Sequence, residues 1–506
     1  MTTKLIFSYK RFFILFIISC LFTSSLHSQN NSNSVTINWD NSETISRTTP
    51  TLQLVENPMA RKNSPIHEST FKTLKELGAD YVRYVPWFPY PKMAVAELKA
   101  PAEGKTFWDF TYPDSTMQAV MEATKGHSAV INFSTTPVWM WKTDTLVKYP
   151  DDPYQTSWDY NQGTELRDTT LKEVSDYFAR LFSWYTKGGF TDELGKFHKS
   201  GHNYKIAYWE VLNEPDLEHN ISPQLYTKMY DAIVLKLKRI SPDTKFVGIS
   251  IAYNKNPEWF EYFLNPKNHQ PGIPLDGISY HHYSTPSWPD QPLDYYQYVF
   301  FERVEGFLDK VRYIESIRKR LSPQTITMIN EIGSILRSPS VTAPIPRDYW
   351  NLSGAMDAYM FLELTKIGVD VAGESQLVGY PTQFPDVSMM NWENGKPNAR
   401  YWILKLLKNN FGPGDKLVST SWHAGAVTNE QPSSVASQAI ITKKGKKILL
   451  INKLNKDASV ELPAGAKGAL ATYVDVSTGD NPPTQITLAN NSFVLKPLSV
   501  AVVTLN

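Results

Sequence analysis

The sequence predicts a protein of the α/β class, built as a (β/α)8 barrel that is followed by an antiparallel β-sandwich. Between residues 51 and 408, eight short hydrophobic runs alternate with amphipathic stretches of helical period, which is typical of a parallel sheet surrounded by helices. No glycine-rich phosphate turn follows an early strand, as a doubly wound sheet would favour. After Gly412-Pro413-Gly414 the pattern changes to short strands separated by turn residues. The predicted barrel spans 34–410 and the predicted sandwich 411–506.

Length and composition fit one large barrel with a smaller module. The chain has 506 residues, of which 42% are hydrophobic, so it can form a substantial core. The 51 basic and 50 acidic residues give a net charge of +1, which argues against nucleic acid as the main partner. Aromatic residues make up 13% of the chain, and their side chains can stack on sugar rings as well as fill the core.

The N-terminus has the pattern of an export signal over residues 1–28. Lys4, Lys10 and Arg11 form a basic region, a short apolar run follows over 12–22, and small and polar residues lead to Ser28. Cleavage there would send the protein to the periplasm or the medium with no transmembrane segment and no cysteine. The alternative is lipoprotein processing at Cys20, which is the only cysteine in the chain.

The predicted barrel elements follow one another in order. The strand runs are short and hydrophobic, and the helical stretches between them are amphipathic. Strands are predicted at 51–55, 81–85, 129–134, 206–215, 245–251, 277–283, 325–331 and 369–377. Helices are predicted at 66–77, 113–125, 169–187, 223–239, 257–264, within 296–321, at 350–366 and at 399–408.

The segment 34–48 alternates weakly, with Val35, Ile37 and Trp39 on one parity, and is predicted as a peripheral strand of the barrel or a strand of the sandwich. The lysines around Gly445 are interpreted as a solvated hairpin tip. Strands of the sandwich are predicted at 439–442, 447–451, 458–462, 471–476, 493–495 and 499–505.

Two predicted strands end in glutamates. The run 206–215 ends in Asn213-Glu214-Pro215, where proline closes the strand, and 326–332 carries Glu331 before the turn residues Gly333 and Ser334. Carboxylates at the C-terminal tips of barrel strands open onto the face where such folds place chemistry. Two of them across a pocket are the minimum equipment for cleaving a glycosidic bond. The alternative for Glu214 alone is a helix-capping residue near Ser222.

The flanks of these glutamates resemble a known group. Residues 209–215 resemble the fourth-strand motif of clan A glycoside hydrolases, and the chain is most similar to family 39 of that clan, the β-xylosidase and α-L-iduronidase family. The resemblance covers about residues 50 to 410. Its other pieces are Phe107-Trp108-Asp109-Phe110, Thr136-Pro137-Val138-Trp139-Met140, Ser279-Tyr280-His281-His282-Tyr283 and Asn330-Glu331-Ile332-Gly333.

This resemblance implies a retaining mechanism. Glu214 would be the general acid and then the general base, and Glu331 the nucleophile, with carboxyl groups about 5–5.5 Å apart. Asn213 matches the asparagine that bonds the sugar 2-hydroxyl. His281 and Tyr283 match the sixth-strand pair that lines the same pocket.

Other residues are candidates on their own sequence context. Arg83 lies inside an apolar strand, so it is predicted either to pair with a barrel carboxylate such as Glu210 or to hold the nucleophile ionised. Trp139 and Trp392 are predicted substrate platforms at strand ends, with Trp87 a further candidate. Glu374, in the eighth predicted strand, is a rival nucleophile.

The predicted activity needs no metal and no organic cofactor. His281 and His282 are adjacent on a strand and should point to opposite faces, which argues against a shared metal. The expected partner is an oligosaccharide or polysaccharide, and terminal β-xyloside-like sugars are the first expectation. Other exo- or endo-acting clan members, including uronide, glucoside or galactoside hydrolases, and a non-catalytic carbohydrate-binding barrel remain alternatives. A uronate would call for Arg or Lys in the pocket.

Overall fold

A computed structural model describes residues 33–144, 147–160, 162–252, 254–286, 292–336, 345–424 and 434–505, so the predicted signal at 1–28 and Cys20 lie outside the described residues. Eight parallel strands pair in chain order and close into a barrel. The strands are β1 (Thr49–Val55), β2 (Val82–Val85), β3 (Ala129–Ile131), β4 (Tyr208–Glu210), β5 (Lys245–Ile251), β6 (Gly277–Ser284), β7 (Ile326–Ser334) and β8 (Val371–Glu374).

One main helix follows each barrel strand and packs its apolar side on the sheet, which confirms the predicted (β/α)8 fold. Helix α4 shows how the sequence sets a boundary, because the Ser222 side chain accepts a hydrogen bond from the Leu225 N–H and Pro223 opens the first turn. The main helices are α1 (His67–Leu77), α2 (Thr111–Ala123), α3 (Lys172–Thr186), α4 (Pro223–Ile240), α5 (Glu258–Phe263), α6 (Leu293–Leu321), α7 (Arg347–Ile367) and α8 (Ala399–Asn410), and a short helix at Pro91–Ala94 lies between β2 and α2.

A second sheet contains nine strands and includes both ends of the described chain. An N-terminal strand, Asn33–Ile45, pairs antiparallel with β9 and, over its first two residues, parallel with β12. The C-terminal strands are β9 (Lys416–His423), β10 (Val435–Thr442), β11 (Gly445–Asn452), β12 (Ala458–Glu461), β13 (Leu470–Val474), β14 (Thr484–Thr487), β15 (Ser492–Leu495) and β16 (Val500–Thr504). Strands β9 and β14 were not expected from the sequence.

This second sheet curls around its own hydrophobic core. Strands β13 and β15 lie toward opposite ends of the hydrogen-bonded order, yet Tyr473 and Phe493 bring their rings to 6.0 Å. Val460, Leu495 and Val503 belong to the same buried cluster. The folded-over sheet is therefore the predicted sandwich, with one continuous strand order rather than two separate sheets.

The barrel interior changes character along its axis. A small apolar cluster fills the N-terminal end, while charged and amide side chains fill the C-terminal end, where the strands release their loops. Among the described residues, no helix combines the length and apolarity needed to cross a membrane. The apolar cluster consists of Val130, Tyr208, Val247, Met328 and Val371.

Candidate active site

Glu214 reaches the C-terminal mouth of the barrel through a bent backbone. Strand β4 ends at Glu210, earlier than the sequence suggested, and the chain then turns through left-handed conformations at Leu212 (φ 60°) and Glu214 (φ 41°). Non-glycine residues in this region carry a strain of roughly 1–3 kcal/mol, which surrounding structure must offset. The Glu214 N–H donates to the Ser250 carbonyl at 2.8 Å, which ties the turn to β5.

Glu331 reaches the same mouth because of a β-bulge. Between β6 and β7 the register shifts so that Tyr280 faces Ile329 but His281 faces Glu331, which leaves Asn330 without an opposite residue. In a regular strand, consecutive side chains point to opposite faces. Here Asn330 donates to the buried Glu210, while Glu331 contacts His281 and Arg83. Both consecutive side chains therefore lie in the barrel interior.

The two glutamates face one another across His281. One carboxylate oxygen from each and a ring nitrogen of His281 all lie within 4.8 Å of one another. The His281 Nδ1 is 2.8 Å from Glu214 Oε1 and 3.7 Å from Glu331 Oε2. The glutamate side chains are only 12% and 10% exposed, so their charges are weakly screened by solvent.

Arg83 is the central cation beneath these carboxylates. Its guanidinium donates to Glu331 and Glu210, each at 2.5 Å, so both contacts predicted for it are present. It also donates to the side chains of Gln53 at 2.7 Å, Asn213 at 2.7 Å and Ser250 at 3.0 Å. These bonds use the fixed fork of the guanidinium and leave an otherwise costly buried charge fully paired.

Glu331 has a second donor on its other oxygen. The Tyr283 hydroxyl donates to Glu331 Oε2 at 2.6 Å and lies 2.7 Å from Ser375 Oγ. Ser375 in turn accepts from Gln53 at 2.6 Å. Both oxygens of Glu331 are therefore held by groups that stabilise the ionised form.

The surroundings push the two glutamates toward different protonation states. Burial raises the pKa of Glu214, the proximity of Glu331 raises it further, and the contact with His281 offsets only part of this. Burial would also raise the pKa of Glu331, but His281, Arg83 and Tyr283 bring it below its ordinary value. Burial opposes a charge on His281, yet Glu331 and Glu214 raise its pKa overall. The site can thus hold one proton-donating carboxyl beside one ionised carboxylate.

A cavity of about 1070 Å³ opens above these residues, at the upper end of the usual range for ligand sites. One side is an aromatic wall formed by Trp87, Phe88, Trp158 and Phe384, whose neighbouring rings lie 5.0–6.4 Å apart. Such a surface can stack on a sugar face.

Glu218 lies at the edge of the aromatic wall and holds several lining residues together. It accepts hydrogen bonds from Asn213 at 2.8 Å, Trp87 at 2.8 Å and Gln162 at 2.9 Å. Burial, followed by the charge of Glu214, raises the pKa of Glu218 to about 8. Glu218 also fixes the orientation of the Asn213 amide, which donates to it.

The structure brings most of the sequence candidates together. Glu214, Glu331, Asn213, His281 and Tyr283 line the cavity, and Arg83 lies directly below Glu331. Trp139 and Trp392 do not line it.

Different contacts hold the remaining candidates away from the cavity. The indole of Trp139 donates to the Glu97 carbonyl at 2.9 Å, and Trp392 packs partly buried on the barrel core. Glu374 is buried beside Asp357 and Arg400, outside the cavity lining.

Several site residues escaped the sequence analysis. Glu218 lies four residues after Glu214, and Gln53, Ser250 and Ser375 are polar residues at or near the C-terminal ends of β1, β5 and β8. The common signal is a polar residue at the end of an apolar barrel strand. Applied to every barrel strand, that rule would have found Gln53, Ser250 and Ser375 but not Glu218.

Glu214, His281 and Glu331 are also the one group of potential metal ligands among the described residues. Their donor atoms are close enough for a divalent cation. However, Arg83 donates to Glu331, and His281 shares its Nδ1 with Glu214. A guanidinium bonded to a ligand carboxylate opposes a second positive charge, so this set fits an acid–base pair better than a metal centre.

No protein-family model and no curated protein sequence matches this chain. Solved structures do match. The GH51 arabinofuranosidase from Xanthomonas axonopodis pv. citri has a TM-score of 0.63 at 13% identity, covering 94% of this chain and 100% of that one. These chains share a fold. A conserved exported protein from Bacteroides fragilis gives 0.62 at 12% identity (93% and 99%), and the GH30 endoxylanase from Clostridium papyrosolvens C71 gives 0.57 at 14% (94% and 100%).

Proposed function

We propose that this protein is an exported, retaining glycoside hydrolase that removes terminal, β-xyloside-like sugars from oligosaccharides or polysaccharides. The proximity of the carboxylates is the observation that carries the proposal. Retaining enzymes hold their two carboxyl groups about 5–5.5 Å apart, whereas inverting enzymes need about 6.5–9.5 Å to admit a water. Oxygens of Glu214 and Glu331 within 4.8 Å of one another support the shorter class.

The proposed reaction is a double displacement. An oxygen of Glu331 bonds to the anomeric carbon as the bond from that carbon to the leaving oxygen breaks, and Glu214 gives its proton to the leaving oxygen. Glu214 then removes a proton from water, whose oxygen displaces Glu331 from the sugar. Arg83 and Tyr283 hold Glu331 in place for the attack.

Asn213 has its amide orientation fixed in a way that suits a sugar hydroxyl. Its Oδ1 accepts from Arg83, and one hydrogen on its Nδ2 goes to Glu218. The second Nδ2 hydrogen is left for the substrate. A donor that strengthens its bond in the transition state is worth about 3 kcal/mol in the calibrated oxyanion-hole case.

The family and the sugar rest on two kinds of likeness. The motif around Glu214 supports clan A and, within it, family 39 with its β-xylosidases. The structural neighbours are glycosidases of families 51 and 30, which supports the clan without choosing family 39. Because two of the similar structures are arabinofuranosidases from Xanthomonas and Thermotoga petrophila, an α-L-arabinofuranoside is our second candidate substrate.

Export is part of the proposal. It rests on the signal pattern at 1–28 and on the fold shared with the conserved exported protein of Bacteroides fragilis. Expression in a bacterial host and N-terminal sequencing of the exported form tests it, with cleavage near Ser28 as the expected result.

Hydrolysis of aryl glycosides tests the activity. The mature protein, Glu331→Ala and Glu374→Gln would be assayed on β-xyloside, α-arabinofuranoside, β-glucoside, β-galactoside and α-iduronide. We expect Glu331→Ala to lose about 10⁴-fold or more in kcat, as when a catalytic nucleophile is removed elsewhere. Glu374→Gln is the matched control, because its carboxyl is buried outside the cavity, where burial holds its pKa well above its ordinary value.

The anomeric form of the first product, followed by NMR, tests the retaining step, which predicts the configuration of the substrate. An inverted product, or full activity in Glu331→Ala, would contradict the mechanism. If no aryl glycoside and no natural oligosaccharide is cleaved, the non-catalytic binding barrel replaces this proposal.

A further inference from the structure

The cavity side remote from the aromatic wall is positively charged. Lys255 comes from the loop after β5, and Arg303 and Lys310 come from α6; we call these three residues the cationic wall. In the closed barrel, β5 and β6 lie across from β1 and β2, so the two walls face each other over the catalytic pair. Glu302 also lines this side, but its carboxylate is 72% exposed and 3.9 Å from Arg303. An exposed pair of that kind neutralises little.

The other two cations of the wall act on Lys310. Partial burial lowers the pKa of Lys310, and the positive charges of Lys255 and Arg303 lower it further. Burial also lowers the pKa of the neighbouring His282 to about 3, and Lys310 and Arg303 add to that shift. A concave surface lined by one sign of charge concentrates its field and attracts ions of the other sign.

In the described part of the chain, three other arginines of α6 are paired with acidic side chains, whereas the two lysines of the wall are not. Arg312, Arg318 and Arg320 each lie within salt-bridge distance of an acidic side chain, at Asp309, Glu315 and Glu261. Among the described residues, no acidic side chain lies within that distance of Lys255 or Lys310. Within the described part of the wall, the cations that lack an acidic partner are therefore the two lysines, because Arg303 lies 3.9 Å from Glu302.

Gly306 leaves a gap between the two cations of α6. Arg303, Gly306 and Lys310 follow one another at three- and four-residue spacing, so they share one face of the helix. A Cβ placed on Gly306 would meet no atom within 4 Å. Glycine inside a helix costs about 1 kcal/mol relative to alanine, so a gap here is gained at the expense of helix stability.

The ligand chemistry follows from these groups. A guanidinium presents a fork that matches the paired oxygens of a carboxylate or a sulfate ester, and lysines add point charges. The seven positions from Arg303 to Lys310 span about 10 Å of helix, longer than one small anion requires. The cavity of about 1070 Å³ also has room beyond a single sugar at the carboxylates.

We infer that the substrate is an acidic glycan, in which a carboxylate or sulfate ester on a sugar within the cavity binds Lys255, Arg303 and Lys310 across the gap at Gly306. This inference rests on the proposed glycosidase function and narrows its substrate to a class. A neutral backbone stacks on the aromatic wall, and the acidic substituent sets which chains are accepted.

Equilibrium binding tests the inference without relying on turnover. Calorimetry in a Glu331→Gln background would compare xylotetraose, the same oligosaccharide with one glucuronic acid branch, and the same oligosaccharide chemically sulfated. We expect at least one acidic form to bind about tenfold or more tightly at low salt, since hydrogen bonds to charged groups are the stronger ones. The preference should shrink as salt is raised to 0.5 M, because exposed charges are screened.

Three further variants locate the effect. The pair Arg303→Gln with Lys310→Gln should bring the acidic-to-neutral affinity ratio close to one. Gly306→Leu should reduce the same ratio by filling the gap, while its thermal unfolding shows that the helix is intact. Lys319→Gln is the matched control, because Lys319 is an exposed lysine of α6 that does not line the cavity.

The outcomes separate this inference from the proposed function. Equal affinity for all three probes, or a preference that survives the double substitution, overturns the acidic-glycan inference. If aryl glycosides are still cleaved in that case, the proposed function stands alone. If the preference for acidic probes depends on Arg303 and Lys310 but no glycoside is cleaved, the binding role of the cationic wall is supported and the glycosidase proposal fails. The carboxylated and sulfated probes identify which acid is bound.

Discussion

The two ends of the barrel interior are built from the same strands but from different chemistry. Strand β4 places Tyr208 at the N-terminal end and Glu210 at the C-terminal end, and β7 places Met328 and then Glu331 in the same way. The N-terminal end is filled by packed apolar side chains, and the C-terminal end is a hydrogen-bonded network of charged and amide groups. Barrel folds thus separate stability from chemistry by a few residues along each strand.

The charged end is stable only because its groups satisfy one another. Glu210 accepts hydrogen bonds from Arg83 at 2.5 Å, Asn132 at 2.6 Å and Asn330 at 2.8 Å. A buried network of this kind contributes little beyond a well-packed apolar core, but removing one member leaves charges without partners. The apolar end has no such dependence, so the two ends should respond differently to substitution.

Arg83→Met should have the largest effect, because it breaks the charged end at its centre. Leaving Glu210 and Glu331 buried without their cation should lower the free energy of unfolding by about 3–5 kcal/mol. It should also lower kcat, since Glu331 would keep His281 but lose Arg83, the second of the charges that lower its pKa. Urea unfolding and the rate on the best aryl glycoside are the measurements.

Arg318→Met is the matched control for that experiment. Arg318 is an equally buried cation that pairs with Glu315 at 2.7 Å, outside the cavity. We expect a comparable loss of stability with an unchanged kcat per folded molecule. Equal losses of kcat in both variants would mean that the charged end has no special part in activity.

Met328→Ala tests the apolar end. Removing a fully buried methionine side chain should cost about 2–5 kcal/mol in the free energy of unfolding, while kcat at a permissive temperature stays within about twofold. Met328→Leu, which conserves volume, should cost less than about 1.5 kcal/mol. A large fall in kcat without a fall in stability would show that the two ends are not separate.

Glu218→Gln tests the charged end through the pH dependence of the free energy of unfolding. Its effect should be the smallest of the three, and smallest of all near pH 5. The pKa of Glu218 is about 8 in the folded protein, against an ordinary glutamate value of 4.5, so between these values the folded state keeps a proton that the unfolded state releases. Stability from this group is full below about 4.5 and is lost as pH rises through 8. Glutamine cannot ionise, so the variant should gain on the wild type between pH 5 and 8.

Urea unfolding at pH 5, 6.5 and 8 measures this difference. Met328→Ala serves as the reference, because its loss of stability should be the same at all three pH values. If the Glu218→Gln and wild-type stabilities run parallel across the range, the raised pKa assigned to Glu218 is wrong.

The sequence predicted the barrel well because each of its elements is set locally. The run 245–251 and the helix beginning at Pro223 carry their own period and boundary signals, and both are found where predicted. Strand β9 was missed because its residues, Lys416–His423, are half polar and depend on a partner strand from the other end of the chain. Non-local pairing leaves little trace in a local pattern.

The site was predictable at the strand ends and not beyond them. Glu214 and Glu331 could be placed because each ends an apolar run, whereas Trp139 and Trp392 lie in loops whose paths no periodicity fixes. The sequence could not show that Trp87 rather than Trp139 faces the cavity, or that α6 turns Arg303 and Lys310 toward it. The position of Trp87 depends on the path of a loop, and the positions of Arg303 and Lys310 depend on how a long helix is rotated against the barrel.

The pairing of the N-terminal strand with β9 has a consequence for the order of folding. Asn33–Ile45 finds its partner only at Lys416–His423, after the whole barrel sequence. Closing a loop of that length is entropically costly, so contacts within the barrel units form first and the curled sheet is completed last. The first described strand of the chain must therefore wait unpaired for one much later in the sequence. We therefore expect the second sheet to complete its strand pairing only after the barrel strands have paired.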